Sequence, residues 1–269
     1  MGAHEQSVRI AVGGDHIAGT LVRPTTLLPG MLFVHGWRGS QKQYLMRARE
    51  IAALGCICLA IDLRGHAESS AQRHEVTRED SLQDVTASYD FLAQADAVDE
   101  SAVGVVGSSY GAYLAAILTS MRPVKWLALR VPALYKDEDW NVPKEELDRG
   151  EIERYRSGFH ETTANRALRA CAEYTGDVLI VASERDEIIP PAVIASYRAA
   201  FRKVRSLTFR VLETADHGLS EERSQQAYTS VLLNWATEMV LGSREQGSAA
   251  AAVQGHIRPS PRRRPPRPA

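Results

Sequence analysis

The sequence has few cysteines, almost no net charge and no long apolar run, and each shortage excludes a class of protein. Three cysteines occur among 269 residues, Cys56, Cys58 and Cys171, and their spacing fits neither a disulfide framework nor a zinc site. The formal net charge is −1, which argues against nucleic acid as a partner of the chain. No run of about 18 apolar residues is present, so no membrane-spanning segment is predicted.

The two ends of the sequence differ from its body. The N-terminal residues have neither the basic start nor the apolar stretch of a secretory signal, so a cytoplasmic location is expected. Residues 243–269 contain six Arg and one Glu among small residues and prolines, a composition that cannot bury enough apolar surface to offset its ordering entropy. We therefore predict one domain over residues 1–242 and a disordered basic tail over residues 243–269, for which a binding role stays open.

Apolar residues follow two patterns within the domain. Residues 7–12 and 16–22 surround a Gly-Gly-Asp turn, which predicts an antiparallel hairpin. After residue 30, short continuous apolar runs are separated by longer helical stretches, which is typical of a parallel sheet covered on both faces. The predicted buried strands are residues 31–34, 56–61, 102–106, 125–131, 177–182 and 206–212. The predicted helices lie near residues 43–53, 81–94, 111–121, 191–200 and 221–241.

A Gly-Ser-Ser-Tyr-Gly segment at residues 107–111 follows a predicted strand and opens a predicted helix. This is the context of a nucleophile elbow, in which the central serine lies on a sharp strand-to-helix turn. The glycines let neighbouring backbone approach, and the helix N terminus favours negative charge beside the serine. Ser109 is therefore the candidate nucleophile, and Ser108 is interpreted as structural.

A serine nucleophile needs a base, and His217 is the candidate. It lies directly after the last predicted strand and before the last predicted helix. The base in turn needs an acid that orients it and stabilises its charged form. The candidate acid is Asp186, just past the predicted strand 177–182, and the alternatives that stay open are Glu184, Glu187 and Asp216.

These ordered motifs resemble the α/β-hydrolase family, in particular its esterase and acyl-peptidase branches, over about residues 7–242. The His-Gly-Trp segment at residues 35–37 matches the oxyanion segment of the family. The resemblance implies that the backbone N–H groups of Trp37 and Tyr110 hold the oxyanion. It also implies an eight-stranded, mostly parallel sheet flanked by helices, with a short cap within about residues 132–169.

The segment Asp-Leu-Arg-Gly-His-Ala-Glu-Ser at residues 62–69 resembles the D-x-R-G-H-G-x-S turn of the same family. Ala67 stands where a glycine is usual, which affects the turn and no catalytic residue. In this interpretation His35 and His66 are structural, and they hold loops by hydrogen bonds.

The predicted activity is that of a serine esterase, which cleaves small-to-medium carboxylic esters through an acyl-enzyme. The predicted cap is short and dense in charge, so it lacks the apolar face of a lid that docks on lipid. Neither a metal nor an organic cofactor is expected, and a small-molecule ester is the expected partner. The same residues would serve an amidase, a peptidase or an acyltransferase, because the pocket selects the leaving group. A ligand-binding protein without turnover is a further alternative.

Overall fold

The computed structural model describes residues 4–23 and 28–255. The two N-terminal strands, β1 (His4–Val12) and β2 (Asp15–Arg23), form the predicted antiparallel hairpin. Its turn places Gly13 at a φ of 59°, in the left-handed region that favours glycine. The other strands are β3 (Leu28–Val34), β4 (Ile57–Ile61), β5 (Val98–Ser108), β6 (Trp126–Arg130), β7 (Asp177–Arg185) and β8 (Ser206–Asp216).

The described strands make one sheet of eight in the order β1-β2-β4-β3-β5-β6-β7-β8. Strand β2 pairs antiparallel with both β1 and β4, and every other pair is parallel. The predicted fold class, an eight-stranded and mostly parallel sheet flanked by helices, is confirmed. Strands β3, β4 and β6 are buried at every residue, which is why they appear in the sequence as continuous apolar runs.

Helices cover both faces of the sheet. They are α1 (Leu45–Ala53), α2 (Arg78–Ala93), α3 (Tyr110–Leu118), α4 (Arg149–Arg156), α5 (Arg166–Glu173), α6 (Pro191–Ala200) and α7 (Glu222–Gly255). One apolar core joins the sheet to α2, α3, α5 and α6, and a second core on the opposite face joins it to α1 and α7. In the second core, α7 buries Tyr228, Leu232 and Trp235 as its apolar spacing predicts.

Helix α2 begins three residues earlier than its apolar pattern predicts, because of a capping box. The Thr77 hydroxyl accepts a hydrogen bond from the N–H of Asp80, and the Asp80 carboxylate accepts one from the N–H of Thr77. Both groups would otherwise lack partners at the helix end. The polar first turn therefore belongs to the helix.

Between β6 and α5 the chain leaves the sheet, and this excursion holds the predicted cap. Its only α-helix among the described residues is the short α4. Helix α5 packs on α3 and contributes Ala167 and Leu168 to the core. The predicted cap range, residues 132–169, thus includes the first turn of a core helix.

Helix α7 runs past residue 242, where the sequence predicts that the domain ends. Residues 243–255 lie in this helix, and the absence of proline together with an alanine run at residues 249–252 explains why the helix can continue. Residues 256–269 of the predicted tail lie outside the described residues.

Candidate active site

Ser109 lies in the turn between β5 and α3, with a φ of 51° and a ψ of −112°. A serine in the left-handed region is strained, and such strain persists only where surrounding contacts enforce it. Here the Ser109 N–H donates to the carbonyl oxygen of Arg130 at 2.9 Å. The Ser109 carbonyl accepts from the N–H groups of Tyr113 and Ala133 at 3.1 and 3.0 Å. The turn is therefore held by α3 and by the strand next to β5.

The two flanking glycines are required by close backbone packing. A Cβ on Gly107 would lie 2.6 Å from the Cα of Ala112, and a Cβ on Gly111 would lie 2.5 Å from the carbonyl oxygen of His35. Neither position tolerates a side chain without movement of backbone. The elbow therefore packs directly against the end of β3, where the His-Gly-Trp segment begins.

His217 lies in the loop after β8 and contacts both of its predicted partners. Its Nε2 lies 3.0 Å from Oγ of Ser109. Its Nδ1 lies 3.0 and 2.9 Å from the two carboxylate oxygens of Asp186. The structure thus brings the three predicted side chains into one hydrogen-bonded chain, although they are distant in the sequence.

Asp186 is held in place by the turn that follows β7. Its Oδ1 accepts hydrogen bonds from the N–H groups of Ile188 and Ile189 at 2.9 and 2.8 Å. Its side chain is only 4% exposed, and that of His217 is 20% exposed. Water therefore competes little for this hydrogen bond.

The alternative acids have other partners. Glu184 accepts from the N–H of Thr214 at 2.6 Å, and Asp216 accepts from the N–H and the hydroxyl of Ser220. Glu187 is exposed. Of the four carboxylates considered, Asp186 is the one that contacts His217.

Trp37 and Tyr110 lie next to each other beside the elbow. Tyr110 is the first residue of α3, so its N–H has no partner within the helix. The indole of Trp37 meets the Tyr110 ring edge-on, with centroids 5.4 Å apart. A Cβ on Gly36 would lie 3.3 Å from Cβ of Ser109, so the segment that carries Trp37 packs on the nucleophile's own turn.

His35 and His66 hold the loops around this segment. Nε2 of His35 accepts from the N–H of Leu63 at 3.1 Å, and its Nδ1 donates to the carbonyl oxygen of Gly36 at 2.7 Å. Nε2 of His66 accepts from the N–H of Arg38 at 3.0 Å. Burial lowers the pKa of His35 to about 4 and also lowers the pKa of His66. Both rings are therefore neutral at pH 7, as acceptance through Nε2 requires.

Arg130, on β6, was not among the predicted site residues. Its Nη1 donates to Oγ of Ser108 at 2.9 Å, and its Nη2 donates to the main-chain oxygen of His217. One buried guanidinium thus connects the end of β5, next to Ser109, with the loop that carries His217. The available signal was an arginine in an otherwise apolar strand, Trp-Leu-Ala-Leu-Arg.

Lys144, in the excursion, was also not predicted. Its ammonium lies 4.3, 5.0 and 5.4 Å from the ring centroids of Trp37, Tyr110 and Tyr135. Burial lowers the pKa of Lys144, while its contact with Tyr135 raises it. These cation–π contacts fasten the excursion to the aromatic residues beside the elbow.

A cavity of about 270 Å³ opens beside Ser109 and His217. Its lining includes the segment that carries Trp37 and residues of α1 and α7. Two arginines that lie far apart in the sequence, Arg47 and Arg130, also line it. The site therefore offers a space next to the serine, with polar walls.

Solved structures with the same fold include proteins of two sizes. A dienelactone hydrolase from Anabaena variabilis is 19% identical, with a TM-score of 0.64, over 87% of this chain and 97% of that one. Est1E from Butyrivibrio proteoclasticus is 17% identical, with a TM-score of 0.66, over 90% of this chain and 100% of that one. An acylaminoacyl peptidase from Pyrococcus horikoshii is 14% identical, with a TM-score of 0.64, over 87% of this chain but only 41% of that one.

No curated protein matches the sequence significantly. Among the described residues, no helix combines the length and the apolar character needed to cross a membrane. Residues 39–243 match the prolyl oligopeptidase family. This match covers most of the chain and agrees with the resemblance to esterases and acyl-peptidases. The chain belongs to the prolyl oligopeptidase family of α/β-hydrolase-fold serine hydrolases.

Proposed function

We propose that the protein is a serine esterase that cleaves small-to-medium carboxylic esters, with Ser109 as nucleophile, His217 as base and Asp186 as the orienting acid. The observation that carries the proposal is the position of His217, which is hydrogen-bonded to Ser109 through Nε2 and to Asp186 through Nδ1. Because the carboxylate accepts from Nδ1–H, Nε2 is left with a lone pair that can take the serine proton.

The proposed reaction has two acyl-transfer steps. Ser109 Oγ attacks the ester carbonyl while His217 accepts its proton, and the N–H groups of Trp37 and Tyr110 stabilise the tetrahedral oxyanion. His217 then protonates the leaving alcohol, which leaves an acyl-enzyme on Ser109. Water, deprotonated by His217, repeats the sequence and releases the acid. Every proton in this scheme is carried by the side chains of the site, so the proposal includes no cofactor.

Peptide or amide cleavage is a second candidate, and the match to the prolyl oligopeptidase family favours it. The chemistry up to the acyl-enzyme is the same for an amine leaving group. The proposal of small-to-medium substrates is supported by the size of the cavity beside Ser109, about 270 Å³.

Labelling with a fluorophosphonate probe and turnover of 4-nitrophenyl esters, beside aminoacyl anilides, test the proposal. The native protein should be labelled and should hydrolyse the esters faster than the anilides. The Ser109→Ala variant should lose labelling and, on the order of 10⁶-fold, turnover. Ser120→Ala is the matched control, because Ser120 is exposed at the far end of the same helix region. A native protein that is neither labelled nor active would contradict the proposal.

A further inference from the structure

Among the described residues that line the cavity beside Ser109, two are buried arginines and none is acidic. Arg47, on α1, and Arg130, on β6, are each only 6% exposed. The residues that line the cavity include Arg38 at its edge, and none of them is Asp or Glu. Burial of a guanidinium is costly unless an opposite charge or a full set of hydrogen bonds compensates for it.

Neither buried arginine forms an ion pair among the described residues. Arg47 donates to three neutral acceptors, the hydroxyl of Thr229 and the carbonyl oxygens of Gln43 and Gln225. Since a guanidinium has five N–H donors, two of them are left over. Nη1 of Arg130 carries two N–H groups and donates to Oγ of Ser108, so one of them is left over. Spare donors of both arginines therefore remain for a group in the cavity.

The two guanidinium groups lie around one aromatic ring. The central carbons of Arg47 and Arg130 are 4.9 and 5.7 Å from the ring centroid of Tyr228. The buried hydroxyl of Tyr228 has no hydrogen-bond partner among the described residues. Burial lowers the pKa of Arg130, while Tyr44, Tyr228 and Asp186 oppose this effect and the charge of Arg47 adds to it. Asp186 does not line the cavity, so its carboxylate does not occupy the spare N–H donors there.

We propose that this cavity binds a carboxylate of the substrate through Arg47 and Arg130, so that the enzyme prefers esters that carry a negative charge. The inference rests on the proposed function, since it deepens the description of the same site. Arginine pairs bind carboxylates well because their planar forks donate parallel hydrogen bonds. A water molecule occupies about 30 Å³, so the cavity has room for a carboxylate on a short chain.

Two matched pairs of esters test the preference. The first pair is the mono-4-nitrophenyl ester of adipate and 4-nitrophenyl 6-methylheptanoate, in which an isopropyl group replaces the carboxylate on the acyl side. The second pair is 4-acetoxybenzoate and 4-isopropylphenyl acetate, in which the same replacement is on the alcohol side. After subtraction of spontaneous hydrolysis, kcat/KM of the anionic ester should exceed that of its neutral partner at least tenfold in one pair. The pair that shows it identifies the side of the substrate that enters the cavity.

Arg47→Met should reduce this anionic-to-neutral ratio on the order of 10- to 100-fold, because one of the two charge-assisted contacts is lost. Lys42→Met removes the same charge from an exposed position nearby that does not line the cavity, and it should leave the ratio unchanged. Arg130 also binds the main-chain oxygen of His217, so its substitution does not isolate substrate binding. A ratio of one or less in both pairs, or an unchanged ratio in Arg47→Met, would overturn the inference.

A binding measurement separates this inference from the proposed function. Adipate or 4-hydroxybenzoate should raise the melting temperature of the native protein and not that of Arg47→Met, whether or not any ester turns over. Hydrolysis of neutral esters that depends on Ser109, with no carboxylate effect in either experiment, would leave the esterase proposal standing and reject the anion site. Carboxylate binding without fluorophosphonate labelling would reject the esterase proposal and support the anion site.

Discussion

The guanidinium of Arg130 donates a hydrogen bond to the main-chain oxygen of His217. The same side chain donates to Oγ of Ser108 and, over 3.4 Å, to the main-chain oxygen of Asp216. The loop that carries His217 is therefore hydrogen-bonded to a residue of β6. This strand follows the nucleophile in the chain and pairs with β5 in the sheet. This contact supports the position of His217 relative to Ser109, together with the hydrogen bond to Asp186.

Replacement of Arg130 by methionine should lower kcat for neutral esters by about 10- to 100-fold. A displacement of the base by about 1 Å is enough for a loss of this size, because proton transfer requires hydrogen-bond distance in the reacting complex. Steady-state kinetics with 4-nitrophenyl acetate measures the effect. Arg122→Met is the control, since Arg122 pairs with Asp90 away from the site. An Arg130→Met protein with unchanged kcat would show that the loop is held by other contacts.

Asp186→Asn should lower kcat on the order of 10⁴-fold, less than the loss of the nucleophile. An asparagine side chain can stabilise the wrong tautomer of His217, in which Nε2 carries the proton and cannot act as base. Asp216→Asn serves as the matched control, because Asp216 is the neighbour of the histidine in sequence but bonds Ser220. If Asp216→Asn were the damaging change and Asp186→Asn were mild, the acid would be wrongly assigned.

Two buried groups should shape the pH dependence of stability in opposite directions. Burial lowers the pKa of His35 to about 4, from about 6.5 in the unfolded chain. Its contribution to stability is present above pH 6.5 and is lost as the pH falls toward 4. Burial raises the pKa of Asp84 to about 6, while Arg64 beside it lowers the value. Its contribution is present below about pH 3.8 and is lost as the pH rises through 6.

The free energy of unfolding should therefore decrease from pH 6.5 to pH 4 in the native protein, with His66 adding to the effect of His35. In Asp84→Asn this decrease should be larger, because the opposing contribution is removed. In His35→Asn it should be smaller. Urea unfolding at pH 7, 5.5 and 4.5 gives the slope of the free energy of unfolding against pH for each protein. Because each slope is taken within one variant, the constant effect of hydrogen bonds lost through the substitution cancels. Equal slopes in all three proteins would contradict these assignments.

The features that local sequence predicts are those that depend on local packing. Strands buried on both faces appear as continuous apolar runs, and the elbow is visible because Gly107 and Gly111 have no room for a side chain. The structure confirms the predicted fold for this reason. It also places Ser109, His217 and Asp186 in contact, although the catalytic roles of these residues stay predictions until tested.

The features that were missed depend on long-range pairing. Arg130 and Arg47 meet the site only because β6 lies beside β5 and α1 packs against α7, which apolar periodicity does not encode. The position of Lys144 is likewise not predictable from local sequence, because the aromatic rings around it come from three separate segments. The choice of Asp186 over Glu184 likewise depends on the turn amides of Ile188 and Ile189, which aim the carboxylate at the histidine.

Helix α4, in the excursion, has a charged outer surface. On α4, the exposed residues include Glu151, Glu153 and Arg154. Two cations hold the excursion in place: the buried Arg156 donates to the carbonyl oxygen of Leu134, and the partly buried Lys144 lies among aromatic rings. A lid that opens on lipid needs a broad apolar face toward the interface, and the described surface of α4 has the opposite character.

Small and medium acyl esters should therefore be the best substrates, and long-chain triglycerides should be poor ones. With a series of 4-nitrophenyl esters, kcat/KM should reach its maximum at short or medium acyl length and fall toward C16, because the cavity beside Ser109 has polar walls and the exposed residues of α4 are charged. Measurements below and above the critical micelle concentration supply the control, since interfacial opening would appear as a jump in rate on micelle formation. A rate that rises with acyl length to about C16 and jumps at that concentration would show that the excursion opens as a lipid-docking lid.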